Sequence, residues 1–228
     1  MEFNKDVERK LLFVALFGAL VLIGSRINFS PLVGAPNQFF TLFQFFGPLP
    51  GGFLGAGFGV LAVALAQGSD FILQGKALDA VNMVRLLPML FAAYYFASYK
   101  SNKLFSIIVP VAATLLFWSH PVGAAAWYFP LLFWSIPVIV ALVRTENLVL
   151  RSLGSTMTAH AIGGALWNYY VPMTPAMWAA LIPVVIFERT VFTFGIAGSY
   201  VALNTVLDKA LSGAKVRFLN VDKRYVLG

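Results

Sequence analysis

The sequence predicts an all-α fold, a polytopic integral membrane helical bundle of about six to eight transmembrane helices in one domain, residues 1–228. Hydrophobic residues make up 60% of the chain and charged residues 11%, which leaves too little polar surface to cover a soluble particle of this size. The apolar residues also come in long unbroken blocks, and residues 11–23 include no polar side chain. The strands of a transmembrane barrel would alternate apolar and polar residues, so we expect helices to satisfy the backbone in lipid.

The boundaries of the helices follow from the breaks between the apolar blocks. The block 38–67 is too long for one simple span, and we expect it to be cut at residues 47–51, the sequence GPLPG, because proline lacks an N–H and glycine weakens a helix. A short helix is expected before this break. Residues 68–82 are polar enough to leave the membrane core, and Pro183 is a potential kink. The longer helices are predicted over 11–27, 51–66, 83–98, 104–118, 124–143, 153–170 and 175–211.

The basic residues predict how the chain is oriented in the plasma membrane. They lie in the N-terminal arm (1–10), in the segments 100–103 and 144–151, and in the basic C-terminal tail (212–228). Because basic loops stay on the cytoplasmic side, we expect these four segments and both termini in the cytoplasm. Membrane orientation also accounts for the net charge of +7, so no nucleic-acid partner is expected.

The residue types argue against an enzyme or a metalloprotein. The chain has no cysteine, which excludes disulfides, a thiolate nucleophile and cysteine-based metal sites. His120 and His160 lack a neighbouring carboxylate or a second histidine at helical spacing, so no metal site is expected. No serine has a visible base partner. We therefore predict no catalytic residue and no cofactor, and a membrane-embedded enzyme is the third choice among the functions.

Ionisable and amide side chains within the predicted helices are the candidate substrate-binding residues, because a charge in hydrocarbon is costly unless it is paired or lines a wet cavity. One interpretation brings Arg85 and Asn168, each near the outer end of its helix, together with the pair Glu188 and Arg189 in one outward-facing pocket. In the alternative, Glu188 and Arg189 pair with polar neighbours, and Arg85 reaches the surface or Asp79. The full candidate set is Asn82, Arg85, Trp167, Asn168, Glu188 and Arg189.

Two aromatic and polar pairs carry narrower expectations. Trp167 beside Asn168 offers a flat apolar surface next to an amide, which suits a heteroaromatic ring, although an interfacial aromatic belt is an equal alternative. His160 and Glu188 are expected at similar depth on consecutive antiparallel helices, which predicts a hydrogen bond between them. In the competing interpretation, Glu188 contacts the substrate or relays protons.

Small residues on the first predicted helix indicate a surface for another helix. Ala15 and Ala19 are one helical turn apart, with Gly18 between them, so a second backbone can approach closely. Ordinary internal packing and an external partner both explain this pair. A second row, from Gly51 through Gly59 to Ala66, is interpreted as internal packing.

Several motifs in chain order resemble the substrate-capture subunit, or S-component, of an energy-coupling factor importer. They are the Ala15 and Ala19 pair, the segments 40–43 (FTLF) and 47–55 (GPLPGGFLG), residues 85–88 (RLLP), and the last helix with 181–183 (LIP), Glu188 and 207–211 (LDKAL). The resemblance covers roughly the first 100 and the last 60 residues. Residues 104–143 depart from it, since they look like an inserted helical pair in a family that usually has six helices.

The resemblance implies a membrane-embedded subunit that binds a small vitamin-like molecule. It also implies that Ala15 and Ala19 contact a membrane coupling subunit, which in turn sits on two cytoplasmic ATPases. The chain itself has no Walker A pattern, so ATP hydrolysis would come from such partners. The alternative is a non-transporting structural or sensory membrane module, in which the glycine-rich segment serves packing alone.

Overall fold

The fold is helical, with one short β-hairpin. The computed structural model describes residues 5–143, 146–211 and 219–228. The first helix is α1 (Lys5–Gly24), followed by strands β1 (Asn28–Pro31) and β2 (Phe39–Thr41) and a 3₁₀ turn at Leu42–Phe45. The remaining helices are α2 (Leu49–Leu54), α3 (Ala56–Leu73), α4 (Ala80–Val84), α5 (Leu87–Ser98), α6 (Lys103–Trp118), α7 (Pro121–Ala125), α8 (Tyr128–Phe133), α9 (Ser135–Val143), α10 (Leu148–Tyr170) and α11 (Pro175–Leu211). A 3₁₀ turn at Lys223–Tyr225 lies in the C-terminal segment.

Apolar side chains cover the outside of the bundle as well as its inside. On α1, Phe13 and Phe17 are buried, whereas Leu11, Leu16 and Leu20 are exposed. The same holds for α6, which exposes a stripe at helical spacing formed by Leu104, Ile108, Val111 and Leu115. Such faces are stable against lipid and unfavourable against water.

Three helical stretches in the described part of the chain are long and apolar enough to cross a membrane: Ala56–Leu73, Ala80–Ser98 and Pro175–Ala210. Phe13–Gly24, Lys103–Trp118 and Tyr128–Val143 are shorter apolar helices. Helix α11 continues through Pro183 without interruption and has 37 residues, which corresponds to roughly 55 Å at ~1.5 Å per residue. It is therefore longer than a ~30 Å hydrocarbon layer requires.

The least apolar long helix lies at the centre. Helix α10 packs against α4, α5, α6, α8, α9 and α11. It buries Ser152, Ser155, Thr156 and Thr158, of which Ser155 donates to the carbonyl of Ala92 at 2.8 Å and Thr158 to that of Gly154 at 2.8 Å. The interior therefore contains hydrogen-bonded hydroxyl groups among its apolar side chains, while the exterior of the bundle exposes apolar ones.

The helix break in the glycine- and proline-rich segment falls later than the sequence predicts. Pro50 lies in the first turn of α2, where its missing N–H would have had no helical partner. The break comes instead at Gly55, whose φ of +79° favours glycine. Helix α3 then continues through Asp70 to Leu73, past the predicted end at residue 66, because the buried Asp70 carboxylate accepts a hydrogen bond from Ser25 at 2.8 Å and pairs with Arg26 at 3.2 Å.

The β-hairpin lies between the first predicted helix and the block 38–67, and its second strand occupies part of the predicted short helix. Strands β1 and β2 pair antiparallel, with Asn28 opposite Thr41 and Pro31 opposite Phe39. Gly34, with φ +85°, lies in the turn, where a Cβ would meet Val171 at 2.7 Å. The hairpin tip therefore packs against the α10–α11 connection.

The chain ends differ in extent from the predicted arm and tail. Helix α1 already begins at Lys5, and residues 1–4 of the predicted arm lie outside the described residues. Residues 212–218 of the predicted tail and residues 144–145 of a basic segment also lie outside them. Residues 219–228 pack back onto the helices, and Leu219 belongs to the core around Phe53 and Tyr200.

The close approach of α2 and α3 gives a stability prediction. A Cβ at Gly59 would lie 2.4 Å from the Cα of Gly51, a backbone atom that cannot rotate away, whereas a Cβ at Gly57 meets nothing within 4 Å. We expect Gly59→Ala to lower the free energy of unfolding in detergent by about 1–3 kcal/mol. The matched control Gly57→Ala should leave it unchanged or raise it, because alanine favours a helix. Equal thermal midpoints for the two variants would contradict this packing.

Candidate functional site

The candidate site is a cavity of about 140 Å³ inside the bundle. Its walls come from the β-hairpin, the break between α4 and α5, the second half of α10 and the first half of α11. Most of the lining is apolar or aromatic, including Leu32, Val33, Phe40, Met89, Trp167, Trp178 and Leu181. The polar lining consists of Gln44, Gln67, Arg85, His160, Glu188 and Arg189. An apolar cavity with a few polar groups is typical of a small-molecule site.

A buried ion pair lies at the wall formed by α11. The side chains of Glu188 and Arg189 are 4% and 3% exposed, and Arg189 Nη2 lies 3.6 Å from Glu188 Oε2. Glu188 also accepts a hydrogen bond from Ser30 on β1. Because Ser30 belongs to the hairpin, this carboxylate joins the hairpin to α11.

The guanidinium of Arg189 is held from several sides. Its Nη1 donates to Thr156 Oγ1 on α10 at 3.3 Å. The cation lies 4.8 Å from the ring centroid of Phe40 and 5.0 Å from that of Phe192, distances at which cation–π attraction operates. Its Nε has no hydrogen-bond partner among the described residues. One unused donor therefore remains at a buried cation that lines the cavity.

Arg85 adds a second cation at the break between α4 and α5. Its Nη2 donates to the backbone carbonyl of Phe39 on β2 at 2.6 Å. In the part of the chain that the structure describes, Arg85 forms no ion pair with a carboxylate. The lining thus combines two guanidinium groups with one carboxylate, and this charge balance favours a ligand with an anionic group.

Histidine and tryptophan side chains complete the polar pattern. Trp134 Nε1 donates to His160 Nδ1 at 3.3 Å, so a neutral imidazole carries its proton on Nε2. Trp167 Nε1 donates to the carbonyl of Val33 at 3.0 Å and fixes its ring against the hairpin. Gln67 donates to the carbonyl of Leu86 at 3.2 Å.

Four of the six predicted substrate-binding residues line the cavity: Arg85, Trp167, Glu188 and Arg189. Asn82 lies at the start of α4, where its backbone N–H and its amide both donate to Asp79 at 2.8 Å. Asn168 is buried behind Trp178, whose Nε1 donates to its Oδ1 at 3.2 Å. The lining groups of the cavity include neither Asn82 nor Asn168.

The sequence predicts a hydrogen bond between His160 and Glu188. Both residues line the cavity, but their described hydrogen bonds are with other partners. Among the described hydrogen bonds, Glu188 is bonded to Ser30 and His160 to Trp134. Glu188 also forms an ion pair with its neighbour Arg189.

Sequence reasoning missed several residues of the site. Gln44 interrupts an apolar block and Gln67 ends it, and an amide in such a block is a signal that could have identified them. Ser30 and Phe40 gave no comparable signal, because their place in the site depends on the hairpin.

The Ala15 and Ala19 pair lies away from this cavity. Both side chains are exposed on α1, on the side opposite Phe13 and Phe17, and a Cβ at Gly18 would meet nothing within 4 Å. This face of α1 is not used for packing within the described chain.

Comparison with known proteins gives one distant relative. An uncharacterized protein of Methanocaldococcus jannaschii is 24% identical over 205 residues, a match that covers 82% of this chain and 68% of the relative. No protein-family model and no solved structure matches the chain.

The buried ion pair generates a prediction for stability. Glu188→Leu should lower the free energy of unfolding by about 3–5 kcal/mol, because it leaves the Arg189 cation buried without a counter-charge. Glu188→Gln should cost less, since the amide oxygen still accepts hydrogen bonds, and Ser30→Ala should cost only about 1 kcal/mol. Thermal unfolding of the three variants in detergent measures this order of stability losses.

A double variant separates the ion pair from simple loss of packing. Glu188→Leu combined with Arg189→Met removes both charges, so it should be more stable than Glu188→Leu alone. A double variant as unstable as the sum of its single variants would contradict the pairing.

Proposed function

We propose that this chain is the membrane-embedded substrate-binding subunit of an energy-coupling factor importer for a small vitamin-like molecule. The observation that carries the proposal is the cavity between the hairpin, α10 and α11, which combines aromatic walls with two guanidinium groups and one carboxylate. The substrate enters this cavity from outside the cell, and the partner subunits then complete its transfer. The chain itself has no catalytic role in this proposal.

The lining supports a small ligand with an apolar body and one anionic end. Trp167, Trp178 and Phe40 supply flat apolar surfaces, which suit a ring. Arg85 and Arg189 supply the positive charge that an anionic group requires.

The exposed face of α1 supports a partner helix. Ala15 and Ala19 keep this face shallow, so a helix of a coupling subunit can approach the α1 backbone closely. Through that subunit the two cytoplasmic ATPases would drive transport.

The apolar exterior supports a multi-pass position in the plasma membrane. Three helices of the described chain are long and apolar enough to cross a membrane, and three further apolar helices are shorter. We propose six to eight spans in all, with both termini in the cytoplasm. The lipid bilayer is then the partner of the exposed leucine faces of α1 and α6.

A non-transporting structural or sensory module is the second candidate. The observation in its favour is that the charges of Glu188 and Arg189 already pair with each other, with hydrogen bonds to Ser30 and Thr156, without a ligand. Arg85, which has only a backbone carbonyl as its described partner, is the residue on which the two candidates differ.

Ligand retention tests the substrate-binding role. Native mass spectrometry of the purified protein should detect a bound small molecule, and Arg85→Gln should weaken its binding about tenfold or more because a charge-assisted hydrogen bond is lost. Arg26→Gln is the matched control, since Arg26 is half-exposed and lies outside the cavity lining. Absence of any retained molecule, or equal loss in both variants, would contradict the proposal.

The partner surface is tested by enlarging the exposed alanines. Replacing both Ala15 and Ala19 with leucine should prevent assembly with a coupling subunit and abolish uptake, while unfolding in detergent stays unchanged because the added methylenes face outward. Replacing Ala176 and Ala180 is the matched control, because these alanines are exposed at the same spacing on α11. Assembly of the α1 variant at the normal level, measured by co-purification, would show that this role is wrong.

A further inference from the structure

A second cavity lies at the other end of α10. It has a volume of about 250 Å³ and is formed where the C-terminal segment folds back onto the turn between α5 and α6. Three cations line it, namely Lys100, Arg151 and Arg224, together with the carboxylate of Glu146 and the rings of Tyr99 and Tyr225. We call it the basic cavity. It shares no lining residue with the candidate substrate site.

The fold places the C-terminal segment at this cavity through backbone hydrogen bonds. The N–H of Asn220 donates to the carbonyl of Phe53 at 2.8 Å. The side chain of Asn204 on α11 makes two bonds with the backbone of Asp222, at 2.7 and 2.9 Å. The N–H of Leu227 donates to Thr205 Oγ1 at 3.0 Å. Arg224, between these anchors, therefore belongs to a docked segment.

Arg151 is held in place by aromatic rings. Its Nε donates to the carbonyl of Phe96 at 2.7 Å, and its guanidinium lies 3.8 Å from the centroid of the Phe96 ring. The rings of Tyr99 and Tyr200 lie 5.4 and 5.5 Å away. Within the described residues, Arg151 has no ion pair with a carboxylate. Stacking fixes this cation without neutralising it.

The other two cations share one carboxylate. Glu146 pairs with both Lys100 and Arg224, and its side chain is 61% exposed. Asp222, which receives hydrogen bonds from Arg224 that lower the pKa of its carboxyl, is a further partner. Exposed ion pairs of this kind contribute little to the stability of the fold. A stabilising role of these pairs is therefore a weak explanation for three cations around one cavity. The lining carries more positive than negative charge.

The first turn of α10 adds to the positive electrostatic potential of the basic cavity. Arg151 lies in this turn, and the N-terminus of the 23-residue helix carries a partial positive charge from its backbone dipoles. Two arginines and a lysine beside a helix N-terminus match the recognition of phosphate, since guanidinium groups bind its oxygens in pairs. A carboxylate ligand would use fewer of these donors.

We infer that the basic cavity is a binding site for a phosphate group, held by Lys100, Arg151 and Arg224. Basic pockets at the ends of membrane helices bind the headgroups of anionic phospholipids, and a soluble phosphate compound presents the same chemistry. Glu146 pairs with Lys100 and Arg224 when the phosphate is absent, and it competes with the phosphate for these two cations. The site is independent of the proposed transport function.

The test uses the full-length protein purified in detergent. Thermal unfolding is followed with increasing inorganic phosphate at constant ionic strength, balanced with chloride, and phosphate should raise the midpoint. Native mass spectrometry in micelles that contain equal amounts of phosphatidylglycerol and phosphatidylcholine should show preferential retention of phosphatidylglycerol if the source is a lipid headgroup. A response to inorganic phosphate without lipid retention would identify a soluble source.

Three variants make the test specific. Lys100→Gln should weaken phosphate binding about tenfold, the effect of losing one charge-assisted hydrogen bond. Lys103→Gln, which removes the same charge outside the cavity lining, should leave it unchanged. Glu146→Gln should strengthen phosphate binding, because the competing carboxylate is gone. If neither phosphate nor phosphatidylglycerol binds, if both lysine variants weaken binding equally, or if Glu146→Gln gives no gain, the cations serve internal pairing and the inference is wrong.

Discussion

The pair of Glu188 and Arg189 is the interaction on which the rest of the candidate site depends. Both side chains are buried, and together they contact Ser30 on the hairpin and Thr156 on α10. A buried charge is tolerated only with a partner, so the pair constrains how α10, α11 and the hairpin can be arranged. The cavity lies between the elements that this pair connects.

The distribution of polarity explains how such a pair can exist in a chain that is 60% hydrophobic. Helix α10 brings serine and threonine hydroxyls into the interior, while α1 and α6 turn leucine and isoleucine outward. Hydrophobic burial between helices is weak when lipid surrounds them, so close packing and internal hydrogen bonds gain importance. Gly51 and Gly59, at the contact of α2 and α3, show the same dependence on close approach.

The two ends of α10 present different electrostatics. At its second half the cavity combines Arg85 and Arg189 with Glu188 in aromatic surroundings. At its first turn Arg151 lies beside the partly neutralised charges of Lys100, Glu146 and Arg224, the last of which belongs to the docked C-terminal segment. A cation enclosed by apolar walls discriminates between ligands strongly, because an unpaired buried charge is costly. A cation at an exposed rim attracts anions with less discrimination.

Composition and block length alone determined the helical, lipid-compatible character of the chain, because both are local properties that hold in any arrangement of the helices. Burial cost likewise identified Arg85, Glu188 and Arg189 as unusual residues. The tertiary structure decided what local patterns do not contain. Asp70 remains helical because Ser25 and Arg26, which directly follow α1, reach its carboxylate, and residues 39–41 form a strand because β1 lies beside them. Phe40 and Ser30 enter the site, and Asn82 and Asn168 lie outside its lining, because side-chain direction depends on the pairing and rotation of whole elements, which involve residues far apart in the chain.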